Sequence, residues 1–358
     1  MAMNTASIRP ARRDSAATTP IEPWNLHAED FPLNAPVGRQ LRFLLQYAVL
    51  APSGHNTQPW LFRVKGGTAD LLADRSRSLP VLDPDDRELV ISCGGALLNL
   101  RVAMRHFGFA PEVELMPDPS NPDLLARVRL GERRVSVEEE KPLFSALLQR
   151  HTNRAPFENK PLPGTLLKLL RAEAFSEGAW LHVVEGELDR LKLAAMVAEA
   201  DCLQWAHKQF RREIAAWVHP NGSASRDGVP GSAKGFGDLA SLASPLVIRT
   251  IDAGSNRAAR DRDIALASPV LAIIGTDSDT PAAWVASGQA MQRVLLRARV
   301  EHVWASFLNQ PVEIPELRGR LSDLVGRTGF PHIILRLGYG PEIKKPTPRR
   351  PVEEVLVD

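Results

Sequence analysis

The sequence predicts an α+β protein built of two similar halves, each a mixed sheet flanked by helices. Three observations lead there. Apolar residues recur at helical spacing in a few long segments. Short runs bounded by Gly and Pro read as strands between them. The same succession then appears a second time along the chain.

From Gly38, GRQLRFLLQYAVLAP carries Leu41, Leu44, Leu45 and Ala48 on one helical face, and Pro52 stops the helix. QPWLFRV and ADLLADRS read as strands separated by the Gly66-Gly67 turn, with Trp60 and Phe62 in the core. SCGGALLNLRVAMRHFGF is a helix apolar almost all round, which places it centrally. LLARVRL closes the half as a strand. In the second half PGTLLKLLRAEAF is a helix, AWLHVV a strand, GQAMQRVLLRARVEHV another long apolar helix and HIILRLGYG a closing strand. ALLNLRVAMRHFGF, from Ala96, aligns without gaps with AMQRVLLRARVEHV, from Ala290. Neither half can bury such a helix alone, so the halves, over 31–135 and 140–358, are expected to pack as one body. A disordered tail rich in Ala, Thr, Ser and Arg is expected over 1–20.

Composition narrows the function. With 358 residues, 44% hydrophobic and 24% charged, the chain has a globular profile and can bury a sizeable core. A net charge of +2 offers no basic field for nucleic acid. No apolar run reaches the ~20 residues that span a membrane, and Arg12-Arg13 is followed by no apolar stretch, so no secretion signal is read. Only two cysteines, Cys93 and Cys202, point to a reduced, cytoplasmic chain with both thiols buried. His106, His207, His219 and His332 lack ligand spacing, so no metal is expected. Ser53 lacks the G-x-S-x-G setting of a hydrolase nucleophile.

Two stretches carry chemistry. The first is APSGHNTQPWLF, where Pro52, Ser53, Gly54, His55, Asn56 and Gln58 form a loop unusually rich in amides and donors. The second is LLQRHTNRAPFENKPLP, where Arg150, His151, Thr152 and Arg154 lie within five positions. The first closely resembles the flavin-binding loop of the nitroreductase family, and the second that family's phosphate-binding segment. LPVLDPDDRELVISCGGALLNLRVA and WASFLNQPVEIPELRGRL are most similar to the Acg-type branch, which has two nitroreductase-like halves in one polypeptide. The resemblance covers roughly Phe31 to Val357 and implies FMN held between the halves of an intramolecular pseudo-dimer.

The residues suit such a ligand. A dianionic phosphate needs cations and donors in a fixed fork, which two guanidiniums, an imidazole and a hydroxyl supply. The pyrimidine edge needs amide-like partners, and Asn56 and Gln58 offer donors and acceptors. Gly54 lets backbone approach the ring. The resemblance further implies that Arg349, with Arg350 beside it, returns to the phosphate, and that Ser306, Phe307 and Leu308 contact the ring near its N5.

The second half replaces the polar loop with SEGAW, and LNAPVGRQ, before the first helix, has only Arg39 for cations. One FMN per chain follows. Residues 201–263, dense in Gly, Ser and Pro, form a long connection read as a lid. The expected function is an FMN-dependent oxidoreductase passing hydride from NAD(P)H to an electron-poor nitroaromatic or quinone. The alternatives are FMN storage with little turnover, and specialised flavin oxidation or fragmentation. No side chain is assigned as catalytic, although His55 is the candidate donor beside the ring.

Overall fold

A computed structural model describes residues 22–134, 138–234, 237–343 and 345–358, and the tail expected over 1–20 lies outside them. The first half runs α1 (Val37–Ala48), β1 (Trp60–Lys65), β2 (Thr68–Ala73), α2 (Arg87–His106), β3 (Phe109–Leu115) and β4 (Leu124–Arg133). After α3 (Lys141–Leu147), the second half opens with α4 (Gly164–Ser176) and β5 (Trp180–Val183). An excursion follows: α5 (Glu187–Ala206), α6 (Lys208–Ala216), β6 (Val218–His219), β7 (Val229–Pro230), α7 (Asp238–Thr250) and α8 (Gly254–Ala267). The half resumes with β8 (Val270–Thr276), α9 (Pro281–Val300), β9 (Trp304–Phe307), α10 (Pro315–Val325) and β10 (Phe330–Gly338), and the chain ends in α11 (Val352–Val355) and β11 (Leu356–Val357).

Setting the excursion and α10 aside, both halves follow the order helix, two strands, long helix, two strands. Their sheets agree as well. The first pairs β1-β2-β4-β3 and the second β5-β8-β10-β9, every one of these pairs antiparallel. In the first sheet β11 adds to β1 in parallel; in the second the four strands pair antiparallel, and the one parallel element joined to them among the described residues is a bridge from Thr152 to Ala305 of β9. The excursion departs from expectation. It starts with α5, ahead of residue 201, and is largely helical rather than irregular.

The apolar periodicities are borne out. Leu41, Leu44, Leu45, Ala48, Trp60 and Phe62 are all fully buried. The two long helices α2 and α9 cross backbone to backbone. A Cβ on Gly288 would lie 1.9 Å from the Ile91 carbonyl oxygen, and one on Gly94 would lie 2.3 Å from that of Val285. Gly94 and Gly288 hold corresponding positions in the gap-free alignment of the halves, so the crossing relates equivalent points of the two copies. Each long helix also enters the other half's core: Val285 and Leu296 of α9 pack with the first sheet, and Ile91 of α2 with the second. Close packing of this kind makes the halves one body. Among the described residues, no helix is long and apolar enough to cross a membrane. Cys93 is buried as expected, but Cys202 is exposed on α5, where a small thiol tolerates water, and neither is in a disulfide.

Candidate functional site

The polar loop leaves α1 and turns through a short 3-10 segment, Gly54–Asn56, before β1. Three of its non-glycine residues adopt positive φ: His55 (47°), Asn56 (58°) and Gln58 (52°). Such backbone is costly and persists where surroundings over-determine it. Here the ties are visible. The Asn56 Nδ2 group donates to the carbonyls of Gly228 (2.8 Å) and Pro348 (3.0 Å), while its Oδ1 accepts from Arg349 (2.8 Å). The Gln58 Nε2 group donates to the Arg226 carbonyl (2.8 Å), and its Oε1 accepts from the Arg350 backbone N–H (2.8 Å). The two amides expected at the ring edge are therefore buried and spent on a clasp. They fasten the loop to the excursion and to the C-terminal segment, and neither lines the cavity beside it.

That cavity, of about 280 Å³, is walled by Pro52, Ser53, Gly54 and His55 from the loop, Thr152 and Arg154 from the segment after α3, and Ser306, Phe307 and Leu308 from β9 and beyond. Nine of the residues anticipated from sequence thus share one space. Ile91 and Met291, from the two long helices, contribute its apolar floor, and Ile333 adds to it. Of Ser306, Phe307 and Leu308, Leu308 donates its backbone N–H to the Ile334 carbonyl (2.9 Å). His332 also faces the cavity. Arg318 can only donate to its Nδ1 (3.1 Å), so Nε2 carries the proton toward Thr276 (2.7 Å). Burial and Arg318 hold this imidazole neutral, with its pKa down at about 3.

Behind one end of the cavity lies a cation cluster. Arg150 and Arg349 are 3% and 6% exposed. Burial lowers the pKa of Arg150 to about 10, and that of Arg349 falls well below its ordinary value through burial and the nearby Arg150 and Arg154. His151 is pushed down to about 3 by burial, then by Arg150, Arg349 and Arg299, and so stays neutral. No carboxylate enters these balances. Arg150 donates once, to the Leu50 carbonyl (3.2 Å), and its Nε has no partner. The Nε of Arg349 is likewise buried without an acceptor among the described residues, whereas Arg299, with two unpartnered nitrogens, is paired through its third with Glu342 (2.9 Å). Buried donors and charges in this state call for an anion. Arg350 stands outside the cluster, since Asp74 (3.9 Å) and Glu354 (3.8 Å) neutralise it.

The excursion closes the cavity from the other side through Asp201, Gln204 and Trp205 of α5, Phe210 and Ile214 of α6, Val229 of β7, and Arg257, Arg260, Asp261 and Ile264 of α8. Glu88 and Glu313 complete a group of carboxyls that sequence reasoning did not foresee. Burial, followed by Glu313 and Asp83, raises the Glu88 pKa well above the carboxylate range. Burial lifts Glu313 to about 7, and burial with Asp261 lifts Asp201 to about 7.

A stability prediction follows for Asp201. Its folded pKa is raised, so the fold gains from its proton below the unfolded value of about 4 and loses that gain as pH rises through about 7. Asp201→Asn should therefore stabilise the fold at pH 8 by a few kcal/mol (order of magnitude) and leave it unchanged near pH 4. Urea melts at the two pH values check this; equal effects at both would show Asp201 ordinary.

No family model matches the sequence. Relatives with curated sequences do. A Mycobacterium tuberculosis protein named provisionally as an NAD(P)H nitroreductase is 32% identical over 327 residues, 90% of this chain and 92% of that one. Acg from the same organism, named in the same way, is 28% identical over 332 residues, 88% and 95% of the two chains. Among solved structures, the FMN- and NADPH-dependent nitroreductase NfnB from sphigopyxis sp. strain HMH aligns with TM-score 0.39 and 20% identity over 60% of this chain and 96% of its own. With 32% identity sustained across nearly the full length of both proteins, the chain belongs to the nitroreductase family, among relatives that include Acg.

Proposed function

We propose that the chain is an FMN-dependent NAD(P)H oxidoreductase holding one flavin between its halves. The observation that carries this is the buried cluster of Arg150 and Arg349 behind Arg154, whose orphaned donors and absent carboxylates fit a phosphate dianion. Thr152 and Arg154 reach the cavity from the same segment and would hold the phosphate, leaving Gly54, Ser306 and the Ile91–Met291 floor to hold the ring. When bound, the flavin supplies hydride transfer from NAD(P)H to an electron-poor acceptor such as a nitroaromatic or quinone. The chain's own residues bind and orient. Arg336 fixes the phosphate segment by donating to the carbonyls of Ala155 (3.0 Å) and Asn153 (3.1 Å). The clasp of Asn56 and Gln58 holds the loop, and the helical excursion keeps water from the reacting end. His55 remains a donor candidate on the cavity wall.

The equivalent place in the other half supports a single site. Where SEGAW meets the long helices, each arginine already has a carboxylate: Arg101 pairs with Glu177, and Arg293 (2.5 Å) and Arg297 (2.6 Å) with Glu173. Among the described residues no buried arginine there lacks a carboxylate, and the counterpart of the phosphate segment, running into α1, offers only the exposed Arg39. A second reading, FMN storage with little turnover, uses the same cavity and the same flavin contacts. Released flavin should number one per chain, and anaerobic NADPH should bleach it. Two flavins per chain would break the single-site argument, none would break the flavin reading, and a bound flavin that NADPH leaves oxidised would favour storage.

A further inference from the structure

We propose that the end of the cavity away from the cation cluster is a subsite for a flat aromatic cation bearing N–H donors, built from Glu88, Asp201 and Glu313 against Trp205. As the acceptor's place it rests on the flavin reading above, whereas as a binding site it stands on the cavity alone. The three carboxyls arrive from α2, α5 and the turn after β9, and among the described residues none forms an ion pair. Each meets a carboxamide instead. Asn309 donates to Glu88 (3.3 Å), Gln310 to Asp201 (3.4 Å), and Gln204 to Glu313 (2.5 Å). Amides satisfy hydrogen bonds without cancelling charge, so this end holds acceptors in excess. Asp201 shows the excess directly: it is 2% exposed, it lines the cavity, and its Oδ2 has no partner. Gln310 Oε1, beside it, is also buried and unpartnered.

The walls set the ligand's shape. Trp205, Phe210 and Ile214 are almost fully buried and border the same end, which suits a planar ring. Glu88 adjoins the polar loop, with its Oε2 3.6 Å from where a Cβ of Gly54 would sit, so a ring held here lies next to that loop. The other charged groups facing the carboxyls are Asp83, Asp261, Arg87 and Arg257, with Arg260 and Arg336 lining the cavity next to Asp261. Arg257 lies 4.0 Å over the Trp205 ring and offsets part of the Asp201 and Asp261 charge, leaving Glu88 and Glu313 to the amides. Asp201 and Glu313, both near 7, are charged at pH 8 and largely protonated below pH 6, which gives the site a pH signature.

The test compares 4-aminoquinoline, a planar cation with N–H donors at pH 8, with 1-aminonaphthalene, its neutral isostere, by calorimetric titration of the full chain as purified. The cation should bind at least about tenfold more tightly at pH 8. That preference should shrink toward unity at pH 5.5, where the quinoline stays protonated. Asp201→Asn combined with Glu313→Gln should remove the preference at pH 8 and leave the flavin content unchanged. Equal affinities at pH 8, or a preference that survives in the double variant or at low pH, would overturn the proposal. Should the double variant fail to fold, the pH series on the native chain decides alone. Flavin content is counted separately, so a chain that binds flavin without preferring the cation refutes this subsite only.

Discussion

Arg150→Met is expected to weaken FMN binding by roughly 10- to 100-fold while the flavin-free chain becomes no less stable. A charge-assisted contact to phosphate contributes about 1.5–3 kcal/mol, which sets the loss. The second half follows from burial. The folded chain depresses the Arg150 pKa to about 10, so at neutral pH its charge costs the fold without an anion present. Its one bond, to the Leu50 carbonyl at 3.2 Å, offsets little of that cost. Methionine keeps the apolar stem and removes the charge. The flavin-loaded melting temperature should therefore fall while the flavin-free one holds or rises, so the gap between them narrows, and fluorescence titration of FMN should give the affinity. If affinity held and the flavin-free chain weakened, Arg150 would be a structural residue and the cation cluster no anion site.

Gly288→Ala should cost the fold more than the roughly 1–3 kcal/mol usual for overpacking. The added methyl would lie 1.9 Å from the Ile91 carbonyl oxygen and 2.9 Å from Gly94 Cα, both backbone atoms that no rotamer change can move. Because Ile91 and Met291 of the crossing helices floor the cavity, flavin binding should fall with stability. Gly319→Ala on exposed α10 is the control. Its Cβ meets nothing within 4 Å, and alanine there should stabilise by about 0.5–1 kcal/mol through backbone entropy. A Gly288→Ala chain with unchanged urea midpoint and flavin content would mean the helices can part at little cost.

Much of this architecture was already set by local pattern. The face of Leu41, Leu44, Leu45 and Ala48 specifies α1, and an all-apolar α2 has nowhere to go but the centre. Carried two residues upstream, the gap-free match of α2 with α9 sets Gly94 against Gly288, and the structure shows why: a repeated helix packed on its own copy brings equivalent positions together. The cations of QRHTNR and the 52–55 loop were legible for the same reason: each is a short run whose chemistry is complete in itself.

Other features depend on partners far along the chain. Asn56 and Gln58 look like ligand amides until Gly228, 172 residues from Asn56, and Arg350, 292 residues from Gln58, take their hydrogen-bonding capacity. Arg350 reads as a phosphate ligand until Asp74 and Glu354 neutralise it. The excursion reads as irregular because Gly, Ser and Pro245 weaken helix propensity, and α7 leaves Leu239 at 84% exposure, so no apolar period announces it. The carboxyls Glu88, Asp201 and Glu313 carry no mutual signal at all, being separated in sequence and joined only by the cavity. Sequence by itself determined the elements, their repetition and the family, since these rest on local periodicity and contiguous motifs. Tertiary structure alone decided which polar groups face the cavity and which are spent on one another, because burial and pairing are properties of a residue's distant neighbours.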